Sequence, residues 1–368
     1  MRPRFLTTAV FIFMLLSAGL AQEDEQSIEI RFSPETVYAE QTEIGQYISF
    51  DFQVINHTEQ KLRLIAIHLK AFDEQDQLMY WKKLDSNGFR PSIETIGVDE
   101  VEPNSSLYVF NPFFFFDTGI KIKGLMYEFR FAVPGQQGIK RVPTEVTPVY
   151  YEPNTDLVLP VKAKRLWVYD GPDFYSHHRR IDPTHPFNRD VMGMEGNGQR
   201  YALDLTVIAE NGMPFTGSPS KKENWYGFGV PVTAPAKGKI IALENDRPDD
   251  IPFDMKVARE DPLVMLGNYV IIDHRNGEYS MMAHFKEGTI TVELGEEVKQ
   301  GDLIGQMGRS GMGVGLVHVH YELRTSGDLL KAEGLPTYFR DFRRIIGAKK
   351  IAMTKGRIDS GHIVESVE

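Results

Sequence analysis

Apolar and polar residues alternate with a period of two over much of this chain. In YISFDFQVIN, residues 47–56, the apolar positions of the alternation are Ile48, Phe50, Phe52 and Val54. Side chains two apart in a strand point to the same face, so the pattern predicts half-buried β-strands. KLRLIAIHLKAF, SSLYVFNPFFFF and LMYEFRFAV follow at short spacing, with turn residues between them. The sequence therefore predicts an all-β fold that begins with an immunoglobulin-like β-sandwich over residues 22–150.

Strand patterns return over residues 199–323, after a break in the periodicity. The break starts with PTEVTPVYYEPNTDLVLP, whose four prolines indicate an extended connector. A loop rich in Gly, Pro, Asp and His follows, so residues 151–198 are predicted to be a connector and a histidine-bearing loop. Residues 199–334 then form a second β domain. The tail, residues 335–368, is predicted to contain a short helix at TYFRDFRRIIG and a solvated basic face.

The N-terminus has the composition of a secretory signal peptide. Arg2 and Arg4 precede an apolar run at residues 5–16, and small residues lead to a predicted cleavage after Ala21. Residues 1–21 are therefore expected to be removed, which predicts a periplasmic or secreted protein. The mature chain has no further segment of the length and apolar character that a membrane-spanning helix needs.

Two features of the composition exclude whole classes of function. The chain contains no cysteine, which excludes disulfides, a thiolate nucleophile and Cys-based zinc sites. Any metal must then be held by His, Asp or Glu. The formal net charge is −10, so nucleic acid is not expected as a partner.

Two histidines stand two apart in the strand-like stretch GLVHVHYELRT. His318 and His320 therefore project from one face of one predicted strand. A catalytic zinc ion takes three protein ligands, commonly His and carboxylate, and keeps one position for water. Asp204 in RYALDL and His284 in MMAHF are the other strand-borne candidates for such a site.

The segment from residue 267 to 323, with its glycines, turns and histidines, resembles the core of the LytM/lysostaphin-type zinc peptidases. These enzymes cut peptide cross-links in bacterial cell walls, and the resemblance covers about residues 199–325. It implies a lysostaphin-like antiparallel β barrel-sandwich, a zinc cofactor and peptidoglycan as substrate. It also implies that Asp204 and His320 bind zinc, while His284 and His318 orient the attacking water and stabilise the oxyanion.

The sequence departs from the family pattern four residues before Asp204. Arg200 stands where the family has its first zinc-binding His. Arginine stays protonated and has no lone pair to offer, so it cannot bind a cation. One account is that a histidine of the loop motif SHHRR, either His177 or His178, replaces the missing ligand, and His178 is the predicted one.

The other account is a degenerate site that binds the cell wall, or regulates a wall hydrolase or another envelope partner, without cutting. The simultaneous presence of Asp204, His284, His318 and His320 favours an enzyme. A second departure is Met282, where the family has an aromatic residue two before the catalytic His. We expect Met282 to affect substrate fit.

Three rival functions remain to be weighed. VKQGDLIGQMG resembles lipoyl and biotinyl carrier domains, but the predicted hairpin tip has Asn276-Gly277 and lacks the lysine that carriers modify. Ser310 in GRSGMG superficially matches a nucleophile elbow, although a glycine-rich loop and a strand follow it instead of a helix. The remaining alternative is a pure binding protein with two adhesion domains, which predicts neither zinc nor hydrolysis.

Overall fold

The computed structural model of the chain describes residues 27–117 and 119–367. The predicted signal peptide at residues 1–21 lies outside the described residues and stays a prediction. The described chain is nearly all β, which confirms the predicted fold class. It contains short helical segments at Ser92–Ile96, Phe187–Val191, Lys222–Asn224, Met255–Glu260 and Pro262–Leu266. Within the described ranges, no helix is long and apolar enough to cross a membrane.

In the described part of the N-terminal half, the structure has twelve strands. They are β1 (Ile28–Ser33), β2 (Tyr38–Gln41), β3 (Gln46–Ile48), β4 (Asp51–Asn56), β5 (Leu62–Phe72), β6 (Leu78–Asp85), β7 (Glu100–Val101), β8 (Ser105–Phe110), β9 (Phe115–Phe116), β10 (Gly124–Ala132), β11 (Lys140–Val146) and β12 (Val149–Tyr150). One sheet has the order β1-β4-β8 and a second has the order β11-β10-β5-β6, with β7 paired to β5. A third sheet, β12-β2-β3-β9, completes this half.

The first two of these sheets pack face to face on one apolar core. Phe52 of β4 and Phe129 of β10 are both fully buried, and their ring centroids lie 4.9 Å apart. The alternating apolar residues of β4 and β10 thus supply the inner faces of a β-sandwich. Whether its topology is of the immunoglobulin type stays a prediction.

Twelve further strands form the C-terminal half. They are β13 (Leu166–Asp170), β14 (Leu203–Val207), β15 (Pro231–Thr233), β16 (Gly238–Glu244), β17 (Asn268–Asp273), β18 (Tyr279–Phe285), β19 (Glu297–Val298), β20 (Leu303–Gln306), β21 (Val319–Arg324), β22 (Phe339–Ile346), β23 (Lys349–Gly356) and β24 (Ile363–Ser366). A ten-stranded sheet runs β19-β16-β17-β18-β21-β14-β13-β24-β22-β23, and β15 pairs with β20. This sheet extends beyond residues 199–334, because β13 and the last three strands belong to it.

The short helix predicted near the C-terminus is wrong. Phe339, Phe342 and Ile345 are buried, and their spacing of three resembles a helical period. They lie instead on β22, which pairs with β23 and β24. Asp341 has a φ of +54°, and this left-handed residue interrupts the strand alternation so that Phe339 and Phe342 both reach the core. The tail is therefore part of the sheet.

Buried ion pairs join the two halves of the molecule. Arg357, which follows β23, donates from Nη1 to Oε1 of Glu40 in β2 at 2.5 Å. Asp51 in β4 accepts hydrogen bonds from Arg179 and Arg200 of the C-terminal half. All five side chains are at least nine-tenths buried. Unpaired charges would be very costly in such positions, so these contacts couple the two halves.

Candidate metal centre

Three neighbouring strands bring the predicted strand-borne residues together. Asp204 of β14 lies directly opposite His320 of β21, and His320 lies opposite Ala283 of β18. Directly paired residues share a face of the sheet, so Asp204 and His320 project to the same side. His318, two residues before His320, joins them there. Alternation therefore explains why these three residues converge.

One carboxylate oxygen is the centre of the cluster. Oδ1 of Asp204 lies 3.0 Å from Nδ1 of His320, 3.3 Å from Nε2 of His318 and 3.5 Å from Nε2 of His178. All four side chains are buried. Burial raises the pKa of Asp204, but the neighbouring imidazoles outweigh this and hold it well below its usual range. The carboxylate is therefore ionised and faces three imidazole nitrogens.

His178 reaches this cluster from the loop between β13 and β14. Its ring centroid lies 4.8 Å from that of His320, and the side-chain amide of Asn197 donates to its backbone carbonyl at 3.0 Å. Burial lowers its pKa to about 3, so the ring is neutral and keeps a lone pair for a metal. The adjacent His177 is exposed and pairs with Asp170 instead. Of the two histidines in SHHRR, the structure brings His178 to Asp204 and His320.

Arg200 does not enter the cluster. Its Nη1 donates to Oδ2 of Asp51 at 2.6 Å, and its Nε lies 3.7 Å from Oε2 of Glu333. Burial lowers the pKa of Arg200, but the charges of Asp51 and Glu333, the nearby Tyr108 and the hydrogen bond to Asp51 together raise it above its usual value. The guanidinium is thus charged but neutralised by a carboxylate of the other half, so its charge is not directed at the site.

His284 reaches the site through a β-bulge. The pairing of β17 with β18 shifts so that Asn268 faces Phe285 while Tyr269 faces Ala283, which leaves His284 as the extra residue. Its φ is +66°, a left-handed conformation that is uncommon for a residue other than glycine. In a regular strand, His284 would face the core. The bulge turns it outward, 4.6 Å from the ring centroid of His318.

Backbone carbonyls orient both predicted catalytic histidines. Nδ1 of His284 lies 2.8 Å from the carbonyl oxygen of Ser310, and Nδ1 of His318 lies 2.9 Å from that of Leu316. A carbonyl only accepts, so each ring carries a proton on Nδ1, and Nε2 of His318 faces Oδ1 of Asp204. Burial, and then the neighbouring His318 and His320, lower the pKa of His284 well below its usual value.

Met282 and Ser310, two residues near the site in the sequence, are both fully buried. Met282 is fully buried in the main core of the C-terminal half, so the expectation that it affects substrate fit is wrong. It occupies the opposite face of β18 from the site. Ser310 is also fully buried, and its hydroxyl donates to the carbonyl of Phe285 at 2.6 Å. A hydroxyl in this position is part of the loop framework and is not a nucleophile.

Glu322 is a functional candidate that the sequence reasoning missed. Its Oε1 lies 2.9 Å from Nε2 of His320, on the opposite side of the ring from Asp204. Burial alone would lower the pKa of His320, but hydrogen bonds with Asp204 and Glu322 raise it to about 9. The signal was present in HVHYE, because positions 318, 320 and 322 alternate onto one face.

The donor set fits zinc. His178, Asp204 and His320 each offer one ligand atom, and these atoms lie within 4.8 Å of one another. Two imidazoles and one carboxylate are a usual catalytic zinc set, and a carboxylate on the far nitrogen of a ligand histidine is its usual support. The cluster lines a cleft of about 330 Å³ whose other walls include Tyr169, Gln199 and the loop around Val314.

Comparison with known proteins gives one match to a family and several to solved structures. Residues 226–332 match peptidase family M23, a range that includes His284, His318 and His320 but not Asp204. No curated protein matches the chain. The lysostaphin catalytic domain of Staphylococcus simulans is 19% identical, covers 39% of this chain and 79% of its own, and has a TM-score of 0.24.

Two other solved structures show similarity of the same order. A zinc-containing peptidase from Vibrio cholerae is 13% identical, covers 75% of this chain and 78% of its own, and has a TM-score of 0.27. A chain of the SpoIIIAH and SpoIIQ complex is 18% identical, covers 49% of this chain and 96% of its own, and has a TM-score of 0.29.

Proposed function

Because the chain carries a peptidase family M23 domain at residues 226–332, we propose that it is a zinc-dependent endopeptidase that hydrolyses peptide cross-links of bacterial peptidoglycan. The convergence of His178, Asp204 and His320 on one point is the observation that carries this proposal. Without His178, two inner ligands would be too few for a catalytic zinc site. The loop histidine therefore compensates for Arg200.

His178, Asp204 and His320 hold the metal in this proposal, and Glu322 orients His320. When bound, zinc lowers the pKa of a coordinated water and polarises the scissile carbonyl. Asp204 supplies the only negative charge among the three ligands. Burial of all three excludes bulk water, which strengthens the electrostatic interactions within the cleft.

His284 and His318 act on protons. Each ring holds its Nδ1 proton against a backbone carbonyl, so Nε2 is the atom that exchanges protons with water or substrate. One ring accepts the proton of the attacking water at Nε2 as general base and passes it to the leaving amine. The other ring carries a second proton, on Nε2, which it donates in a hydrogen bond to the developing oxyanion. Their ring centroids lie 4.6 Å apart, which allows both to contact one reacting centre.

The proposal is tested by measuring zinc content together with digestion of purified cell-wall sacculi. We expect the wild type to contain about one zinc per chain and to solubilise sacculi, and His320→Ala to do neither. His274→Ala serves as control, because His274 is also buried in the sheet but bonds Ser280 and a backbone carbonyl outside the cluster. Equal solubilisation by wild type and His320→Ala rejects zinc catalysis centred on His320.

A second candidate is a protein that binds the wall, or regulates a wall hydrolase, without cutting. The observation that favours it is the direct hydrogen bond between Asp204 and His320, since these two groups satisfy each other without a metal. The same experiment separates the two functions, because this candidate predicts retention of sacculi on the protein with no soluble fragments.

The proposed location is the periplasm or the extracellular space. The charged, apolar and small-residue order of residues 1–21 supports export. N-terminal sequencing of the protein isolated from its native cells tests this, and a mature chain that starts at Gln22 is the expected result. A chain that retains Arg2 and Arg4 contradicts it.

A further inference from the structure

The loop that carries His178 rests on the N-terminal half of the molecule. Arg179, the next residue, donates from Nη1 to Oδ2 of Asp51 at 2.5 Å and from Nη2 to the carbonyl of Phe50 at 3.0 Å. Arg179 and Asp51 are at most 1% exposed. A buried guanidinium with these two contacts has a single position, so it fixes the backbone of its neighbour His178.

Aromatic contacts hold the same loop on the same surface. The ring of Phe174 stacks on Phe114, with centroids 5.2 Å apart and an interplanar angle of 3°. The guanidinium of Arg180 lies 4.5 Å from the ring centroid of Phe110. Both partners belong to the N-terminal half, so residues on either side of His178 are anchored there.

Asp51 also reaches the second segment that carries a ligand. Its Oδ2 accepts from Arg200 at 2.6 Å, four residues before Asp204. Its Oδ1 accepts from the backbone amide of Asn111 at 3.0 Å, which fixes the carboxylate within the sandwich. A single carboxylate of the N-terminal half thus ties together the chain segments that lead to His178 and Asp204.

We propose that Asp51 is a positioning residue for the metal centre, so that the N-terminal sandwich is a structural part of the site. This inference rests on the proposed zinc site. Asp51 does not touch the metal ligands, and it acts through Arg179 and Arg200. Removing its charge leaves two buried guanidinium groups without their partner, and the His178 loop then loses its fixed position.

The test uses the full-length metal-free protein titrated with Zn²⁺ and with Co²⁺, whose visible absorption reports the number and type of ligands. We expect Asp51→Asn to lower the affinity for both ions by about tenfold or more, as for other groups that support a ligand. Its Co²⁺ spectrum should approach that of His178→Ala. A purely structural role for Asp51 would lower thermal stability without changing the spectrum.

Glu40→Gln is the matched control. Glu40 is also a buried carboxylate of the N-terminal half that pairs with an arginine of the C-terminal half. In this variant Arg357 retains Asp359 and the carbonyl of Pro172, so the loop keeps that contact. We expect wild-type metal affinity and an unchanged Co²⁺ spectrum. If Glu40→Gln lost as much metal affinity as Asp51→Asn, the cause would be a general weakening of the contact between the two halves, and the proposal would be overturned.

Arg179→Gln provides a second variant if Asp51→Asn does not fold. This substitution removes the guanidinium of the loop residue, while Asp51 keeps Arg200 as its partner. Circular dichroism establishes that each variant is folded at the temperature of the titration. A folded Asp51→Asn or Arg179→Gln protein with wild-type affinity overturns the inference alone. A wild-type protein that binds neither ion overturns the proposed zinc function as well, so the two failures are distinct.

Discussion

At the scale of single residues, an arginine stands where a histidine was expected, and a histidine from the loop lies beside Asp204 instead. Arg200 occupies the position four residues before Asp204 where an imidazole was expected, and His178 brings an imidazole from earlier in the same loop. Strand alternation predicted that His318 and His320 share one face, whereas Asp204 and His284 were candidates on predicted strands whose roles came from the family resemblance. No sequence pattern supported the choice of His178 over His177, because the path of an aperiodic loop is set by tertiary contacts.

The contribution of His178 is testable by one substitution. We expect His178→Ala to lose most of its bound zinc, since only Asp204 and His320 would remain as inner ligands. His185→Ala is the control, because His185 is exposed and belongs to the same loop. Metal analysis of the purified variants checks this, and unchanged zinc in His178→Ala would remove this residue from the site.

Glu322 provides a second prediction at the residue scale. Glu322→Gln keeps the size of the side chain but removes the negative charge beside Nε2 of His320. We expect about a 10- to 100-fold loss of zinc affinity, the usual effect of changing a group that orients a ligand. Glu278→Gln is a buried control that contacts Tyr151 and Asn154 instead. Competition titration with a chelator measures the zinc affinity of both variants. Equal affinities of Glu322→Gln and Glu278→Gln would contradict the orienting role of Glu322.

At the scale of secondary-structure elements, the alternation of apolar and polar residues predicted the strands. The places where a strand's alternation is interrupted were not predicted. The bulge at His284 and the left-handed Asp341 each place two nearby residues on one face. Pattern reasoning assumes a constant period, so it read β22 as a helix and did not show that Met282 and His284 lie on opposite faces of β18. Such interruptions depend on pairing with distant strands, which a local pattern does not contain.

The bulge at His284 predicts an inverted order of stabilities. In a regular strand, Gly is roughly 0.5–1 kcal/mol less stable than Ala. At a φ of +66°, Ala carries a strain of about 1 kcal/mol that Gly lacks. We therefore expect His284→Gly to unfold at a higher denaturant concentration than His284→Ala. The usual order, with Ala more stable, would show that the bulge is not maintained without the imidazole.

At the scale of the whole molecule, the two halves are joined by buried charges. The pairs of Asp51 with Arg179 and Arg200, and of Glu40 with Arg357, all cross from one half to the other. No sequence pattern indicated these contacts, because the partners are between 128 and 317 residues apart. The β-strands of both halves could be predicted from periodicity, whereas the docking of the halves could not.

Denaturant unfolding, measured separately in each half by tryptophan fluorescence, tests this coupling. Trp81 lies in β6 of the sandwich and Trp225 packs in the C-terminal core, so variants that retain one or the other report on separate halves. We expect coincident transitions for the wild type. The double substitution Asp51→Asn with Glu40→Gln should separate them, since removing one partner of a buried pair costs about 3–5 kcal/mol.

The control for this experiment is Glu29→Gln, which removes an exposed carboxylate paired with Arg31. Exposed pairs contribute at most about 1 kcal/mol, so the two transitions should stay together. Separate transitions already in the wild type would show that the halves fold independently.

A loop that carries a proposed zinc ligand and rests on the N-terminal half has a thermodynamic corollary. If docking of the sandwich raises zinc affinity by some factor, zinc must tighten that docking by the same factor. A chelator that removes zinc would then weaken the docking, and a ligand that separates the two halves would weaken zinc binding. Any wall polymer or protein that prefers the undocked form would lower zinc affinity, and with it the proposed hydrolysis, without approaching the cleft.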